Sequence, residues 1–228
     1  MKTAVIFGAA PIKNYETVKK YISDADFFIF CDGGLVHQKA LDIAPDLIIG
    51  DFDSFELSDL PENLQKNTEI IKLPCEKDDT DVFFAVKEAC RRGFESFKFF
   101  GVLGNRFDHS LVNISVLLYL KKMGKQAILV DDFSEICVFD NNAEEISSEF
   151  SYFSVLCIDG SLEGVNIIDA KYPLKNAVIS TDYQFGVSNE VKKGKKNALV
   201  WADNTYGRIF LIEGVVQFLK TASQGFKR

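Results

Sequence analysis

Histidine is scarce in this chain of 228 residues: there are two, His37 and His109, and neither stands at zinc-ligand spacing from another ligand-type residue. The five cysteines, Cys31, Cys75, Cys90, Cys137 and Cys157, form no Cys-x-x-Cys pair and are odd in number. That excludes a disulfide framework and a thioredoxin-like motif, and predicts free thiols in a reducing cytosol. Basic charge is in deficit, with 26 Lys and Arg against 33 Asp and Glu and a net charge of −7. A nucleic-acid surface needs a basic stripe, so no nucleic-acid partner is expected. No apolar run is long enough to cross a membrane. Met1–Ala10 faintly resembles a signal peptide, but its apolar stretch is short and holds Gly8. It reads better as a first parallel strand over residues 3–7, in a cytoplasmic protein. There is no Gly-x-x-x-x-Gly-Lys-Ser/Thr loop, no Gly-x-Gly-x-x-Gly and no Gly-x-Ser-x-Gly. A P-loop NTPase, a standard dinucleotide domain and a serine-hydrolase elbow are thereby disfavoured.

What is present is apolar and aromatic: 47% of residues are hydrophobic and 21 are phenylalanine. Short apolar runs at Thr3–Phe7, Asp26–Phe30, Asp46–Ile49, Glu69–Leu73, Phe97–Phe100 and Gln126–Val130 read as strands covered on both faces. Helical patterns lie between several of them, around 14–22, 34–43, 80–92 and 109–123. In the last, Leu111, Ile114, Leu117, Leu118 and Leu120 form the expected buried stripe. This alternation predicts an α/β domain with a parallel sheet flanked by helices. After about residue 131 the pattern becomes strand-rich: Ile136–Phe139, Tyr152–Ile158, Val165–Ile168, Ala177–Ser180, Ala198–Trp201 and Arg208–Ile212, separated by turn residues. An all-β sandwich or barrel-like second domain is expected, with domains at 1–132 and 133–228. Lys192-Lys193-Gly194-Lys195-Lys196 reads as a solvated hairpin turn.

Polar clusters follow four of the N-terminal strands, and parallel topology would bring them to one sheet edge. Asp32-Gly33-Gly34 follows the second strand, where a plainer reading makes Asp32 a helix N-cap. Gly50-Asp51-Phe52-Asp53-Ser54 follows the third. On extended chain Asp51 and Asp53 point the same way, and two adjacent anions call for a cation such as Mg²⁺ unless one merely caps a turn. Glu76-Lys77-Asp78-Asp79-Thr80-Asp81 precedes a helix with four carboxylates, more than a helix cap needs. Metal coordination with Lys77 on a phosphate accounts for the excess. Gly104-Asn105-Arg106-Phe107-Asp108-His109 enters a helix N-terminus, a natural anion seat where Arg106 can grip phosphate. Here Asp108 as N-cap and His109 as a structural hydrogen-bonder are the plainer alternatives.

Taken in order and spacing, these four motifs with Asn113 resemble the thiamin pyrophosphokinase (thiamin diphosphokinase) family. Lys171-Tyr172-Pro173-Leu174 and Ser188-Asn189-Glu190 resemble its thiamin-binding domain more loosely. The resemblance implies a catalytic domain binding ATP and Mg²⁺, a β-sandwich binding thiamin, and a homodimer whose subunits complete each other's sites. It places Asp51, Asp53, Asp81, Arg106 and Asp108 in the reaction, with Asp51, Asp53 and Asp81 on the metal. Asp32, Gly33, Lys77, Asp78, Thr80, Arg106 and His109 fall to ATP, and Tyr172, Ser188 and Asn189 to thiamin. The Gly8-Ala9-Ala10-Pro11 loop departs from the glycine-richer bacterial pattern. Two alternatives stand beside a diphosphotransferase from ATP to thiamin: a pyrophosphokinase acting on another alcohol such as a hydroxymethylpterin, and a catalytically silent thiamin- or nucleotide-binding module.

Overall fold

A computed structural model describes residues 1–53, 67–139 and 143–203, with the backbone of 209–214. Ser54 and Asn204, both part of the sequence reading, lie outside the described residues, as does the start of the strand expected at Arg208. The chain divides into two compact units, Met1–Asp132 and Phe133–Arg228.

The first unit is built on six strands: β1 Thr3–Phe7, β2 Phe27–Cys31, β3 Leu47–Gly50, β4 Glu69–Lys72, β5 Ser96–Phe100 and β6 Gln126–Val130. They run in the order β4-β3-β2-β1-β5-β6, and every pairing is parallel. All five residues of β1 are buried, which explains its unbroken apolar run in the middle of the sheet. Phe7 stacks on Phe30 at 4.6 Å and on Phe100 at 5.6 Å between ring centroids, so aromatic faces tie the three central strands together. The sheet is doubly wound. The chain leaves β1 toward β2 on one side and returns to β5 on the other, making a topological switch point between β1 and β5.

Helices α1 (Tyr15–Tyr21), α2 (Gln38–Leu41), α3 (Asp81–Arg91) and α4 (Phe107–Lys122) join these strands. The helix expected at 34–43 is realised as a 3-10 turn over Asp32–His37 followed by α2, which ends at Asp42 with φ 55°. In α4 the buried face is Ser110, Asn113, Val116, Leu117 and Leu120, and Leu111 is 49% exposed. The expected stripe therefore rotates. This helix is apolar around most of its girth, and the packing partner selects the face. His37 is buried and holds two segments together. Its Nε2 donates to the Ala10 carbonyl at 3.0 Å, and its Nδ1 accepts from the Tyr15 hydroxyl at 2.9 Å. Burial pushes its pKa down, against the carbonyls of Ala10 and Gly8 and the charge of Asp132, and favours this neutral tautomer.

The second unit carries two antiparallel sets of strands: β7 (Ser134–Phe139), β13 (Ile209–Gly214) and β9 (Phe153–Cys157), and β11 (Leu174–Ser180), β10 (Ser161–Ile168), β12 (Asn197–Trp201) and β8 (Glu144–Ser147). Both sets supply one core, which includes Phe139, Phe153 and Val155 from the first and Ile146, Val165, Ile167 and Val200 from the second. That is the sandwich the alternating sequence predicts. Strand β8 was not anticipated, because Glu144-Glu145 hides its alternation; Glu145 accepts from Asn197 Nδ2 at 2.7 Å and Ile146 is the residue turned inward.

Candidate active site

The four polar loops of the first unit all follow strands of the parallel sheet. Asp32 leaves β2, Asp51 leaves β3, Lys77 follows β4, and residues 101–106 follow β5. Oxygens of Asp32, Asp51 and Asp53 lie within 4.8 Å of one another. The route by which Asp51 and Asp53 converge differs from the expected extended chain. Phe52 adopts φ 56°, and the backbone of Asp53 donates to Asp51 Oδ1 at 3.4 Å. A left-handed residue between two carboxylates, with Phe52 itself buried, folds them toward one point. Asp32 is also strained, at φ 35°. It is the first residue of the 3-10 turn rather than an N-cap. A Cβ on Gly50 would lie 2.7 Å from the Asp32 Cβ, so the glycine of the Gly50–Asp53 motif permits the close approach of the two loops. Backbone strain concentrated on acidic loops is a mark of functional sites.

Lys77 stands beside this group. Its Nζ is 2.6 Å from Asp51 and 3.0 Å from Asp81, and its side chain is 11% exposed. Burial works to lower the lysine pKa, but the hydrogen bonds to Asp51 and Asp81 outweigh it and the result is raised, so the ammonium stays charged. The same contact lowers Asp51, whereas burial raises Asp81 in spite of Lys77. The two aspartates are thus driven apart in basicity.

The rest of the acidic run divides its labour. The N-cap of α3 is the Thr80 hydroxyl, which accepts from the Phe83 amide at 3.3 Å, in place of the carboxylate cap expected there. Asp79 pairs with Lys87 at 2.5 Å on the next turns of the helix. Part of the excess acid is therefore spent locally, while Asp78 lies exposed at the rim. Asp81 is drawn to Lys77 and stands outside the Asp32–Asp51–Asp53 group, so the trio the structure gathers differs from the expected Asp51, Asp53 and Asp81.

Between the Gly8–Pro11 loop and the residues after β5 lies a cavity of about 390 Å³ at the switch point, with Val82, Arg106, His109 and Asn113 on its walls. The two loops touch backbone to backbone: a Cβ on Gly8 would meet the Gly101 carbonyl oxygen at 2.6 Å, and the Ala10 amide donates to that carbonyl at 2.8 Å. The small residues of the Gly8-Ala9-Ala10-Pro11 loop thereby form one wall. Helix α4 opens with Arg106 as N-cap and no side-chain cap from it, and the Asp108 carboxylate takes the His109 amide in its first turn. Arg106 and Asp108 pair at 2.7 Å with side chains 70% and 65% exposed, a contact weak enough to exchange for a phosphate. Asp108 is not the N-cap. The Gly33 neighbourhood joins the two regions, since a Cβ there would lie 3.0 Å from the Ala9 Cβ.

In the second unit Tyr172 is 57% exposed, with Lys171 Nζ 5.4 Å from its ring centroid. Asn189 is tied to its neighbour Tyr172. It is 3% exposed, accepts from the Tyr172 amide at 3.0 Å and donates to the Tyr172 carbonyl at 2.8 Å. It pins Tyr172 in place. Ser188 is exposed at φ 56°, its amide held by Ser154 Oγ at 3.0 Å. Exposed Tyr183 and Phe185, with ring centroids 5.3 Å apart, add to the aromatic surface of this unit and were not singled out from sequence, where their spacing looks like any strand end.

Two family models match the chain, one per unit. The thiamin pyrophosphokinase catalytic domain matches residues 18–129, and the thiamin pyrophosphokinase vitamin B1 binding domain matches residues 142–203. A thiamine pyrophosphokinase of Bacillus subtilis is 26% identical over 193 residues, covering 84% of this chain and 90% of that protein. The crystal structure of the B. subtilis enzyme superposes with a TM-score of 0.82 at 24% identity, over 94% of this chain and 99% of that one. A thiamin pyrophosphokinase family protein from Enterococcus faecalis gives 0.75 at 26% identity, over 94% and 99%. Yeast thiamin pyrophosphokinase gives 0.73 at 16% identity, over 96% and 87%. With both of its domain models matched in order along the sequence, the chain belongs to the thiamin pyrophosphokinase family.

Proposed function

We propose that the protein is a thiamin diphosphokinase: it transfers the diphosphoryl group of ATP to the hydroxyethyl oxygen of thiamin, giving thiamin diphosphate and AMP. The observation that carries this reading is the convergence of Asp32, Asp51 and Asp53, with Lys77 beside them, at the sheet edge that also holds the switch-point cavity. Three carboxylates this close repel one another unless a cation lies among them, and an all-oxygen donor set suits Mg²⁺. Asp32, Asp51 and Asp53 would hold it, and bound there it supplies neutralising charge to the triphosphate.

The chain's own groups do the rest. Lys77, charged and nearly buried, offers its ammonium to a phosphate oxygen without leaving Asp51 and Asp81. Arg106 turns from Asp108 to stabilise charge on the transferring group, and the N-terminal end of the α4 dipole adds to it. Asp81, whose pKa burial raises, is better matched than Asp51 to accept the thiamin hydroxyl proton. In the second unit Tyr172, held by Asn189, packs on a ring of thiamin, and Ser188 faces the pyrimidine. We further place the protein in the cytoplasm as a homodimer; five cysteines, none of them in a disulfide, suit a reducing compartment, and no helix among the described residues is long and apolar enough to cross a membrane.

The test is AMP release from ATP and Mg²⁺ with a panel of alcohols. Thiamin alone should support it. Release with a hydroxymethylpterin in place of thiamin would reassign the substrate, and no release with any alcohol would reduce the protein to a binding module.

A further inference from the structure

The loop from β5 into α4 is tied down at Gly101, Val102 and Gly104, and two of these ties come from the buried face of α4. The Gly101 carbonyl accepts from the Ala10 amide at 2.8 Å. The Val102 carbonyl accepts from Asn113 Nδ2 at 2.7 Å. The Gly104 amide donates to Ser110 Oγ at 3.1 Å. Ser110 and Asn113 are 8% and 5% exposed, on a helix face completed by Val116, Leu117 and Leu120. Polar side chains on such a face are costly unless they are hydrogen-bonded, and these two direct their bonds to loop backbone.

Ser110 is the more telling of the two. Its hydroxyl donates to the Arg106 carbonyl at 3.1 Å, the ordinary back-bond of a serine in a helix. The bond it accepts from the Gly104 amide is of another kind, since it reaches six positions back and out of the helix. A Cβ on Gly104 would lie 2.7 Å from the Ala10 Cβ, so this residue is gripped between the Gly8–Pro11 loop and Ser110. Arg106 follows two positions later. Its side chain is 70% exposed and reaches only the exposed Asp108 among the ion pairs of the described residues. A long exposed side chain has little packing to steer it. What the fold can fix is the backbone point from which it starts.

We propose that Ser110 is a positioning residue for Arg106. One hydroxyl joins the Gly104 amide to the Arg106 carbonyl and so fixes where the guanidinium originates beside the phosphates. Ser110 acts through the loop and not by contact with the reacting atoms. Alanine would leave the Gly104 amide without this partner and let the loop shift. Displacements of about 1 Å in a charge-stabilising group are enough to slow a reaction severely. This rests on reading the chain as an ATP-dependent diphosphokinase.

The experiment is a double-mutant cycle of Ser110→Ala and Arg106→Ala, read on AMP release with thiamin and on Mg²⁺-ATP affinity by calorimetry. Ser110→Ala alone should lower kcat about tenfold and leave the KM for thiamin within about twofold. In the Arg106→Ala background the same change should cost less than about twofold, because a residue that acts through Arg106 has nothing left to place. Ser110→Thr keeps the hydroxyl and should stay within about twofold of the wild-type kcat. Additive losses overturn the proposal, as does a Ser110→Ala enzyme of near-normal kcat or a threonine variant as slow as the alanine one. Should Ser110→Ala not fold by circular dichroism, Ser110→Cys, whose thiol is a weak acceptor, takes its place in the cycle. If the wild type releases AMP with no alcohol, the diphosphokinase reading falls and the affinity cycle alone decides Ser110. Coupled losses of affinity then uphold its role, and additive losses or none overturn it.

Discussion

Asp51 carries two duties that its neighbours do not share, and this makes it the informative residue to change. It belongs to the carboxylate trio and also holds Lys77 at 2.6 Å. Asp51→Asn should lower turnover by about 10²-fold or more while leaving the fold intact, since the residue lies at the site's rim and not in the core. Activity of the wild type should vanish in chelator and return on adding Mg²⁺; undiminished activity in chelator would remove the metal from the reading. Arg106 is tested by its geometry. Lysine keeps the charge but loses the planar fork, so Arg106→Lys should cost about 10²-fold in kcat. A lysine variant of near-normal kcat would assign Arg106 to its exposed pair with Asp108 alone. Both residues were named from sequence, because Asp-x-Asp after a strand and Arg at a helix entrance are local patterns. Asp32's place in the trio was not legible as a metal ligand. It lies nineteen positions before Asp51, and only the pairing of β2 with β3 brings the two loops together.

Among the elements, α3 shows how a charge-rich segment is shared between catalysis and stability. Its first turn presents Asp81 to Lys77, while its last turn anchors it to the sheet. Arg92 at the C-cap reaches Glu88 at 2.7 Å and Glu69 on β4 at 2.7 Å, and Arg91 pairs with Glu88 at 2.7 Å. The Arg91 hydrogen bond, aided by Arg92 and opposed by burial, lowers Glu88 from 4.5 to about 2. A carboxylate whose folded pKa is lowered contributes stability above its unfolded value, and that stability is lost as pH falls from about 4.5 toward 2. Glu88→Gln should therefore lower stability by about 1–2 kcal/mol at neutral pH and flatten the acid limb of the melting curve between those values. Thermal melts of both proteins at pH 7 and pH 3 would check this; an equal difference at the two pH values would exclude the ion pairs as its cause. The pairs of Glu88 with Arg91 and Arg92 stand at i, i+3 and i, i+4 spacing, whereas the pair of Arg92 with Glu69, 23 positions away, could not be read from the sequence.

At the scale of the whole molecule, the two family matches place a catalytic domain and a vitamin B1 binding domain in separate units of one chain. The proposed homodimer lets each site draw on both subunits. Asp53→Asn and Tyr172→Ala, each inactive or nearly so alone, should regain part of the wild-type AMP release when mixed and allowed to exchange subunits. One kind of mixed dimer site then holds two intact halves. Analytical ultracentrifugation should show a dimer at assay concentration, and an active monomer there would rule the arrangement out.

Period and composition were enough to mark the parallel strands, the change to a sandwich after residue 131, and the loops that carry acid and phosphate-seeking groups. Those features follow from local rules: buried strands are continuous in apolar residues, half-buried ones alternate, and ligand loops follow strand ends. The sequence could not show that Phe52 would turn left-handed, that Thr80 rather than a carboxylate would cap α3, or that Leu111 would face out while Asn113 faced in. Each depends on what lies opposite in space. A helix apolar on most sides buries the face its partner covers, and Asp32 meets Asp51 and Asp53 only because β2 and β3 set their loops side by side. Those distances are made by sheet order, which tertiary structure alone decides.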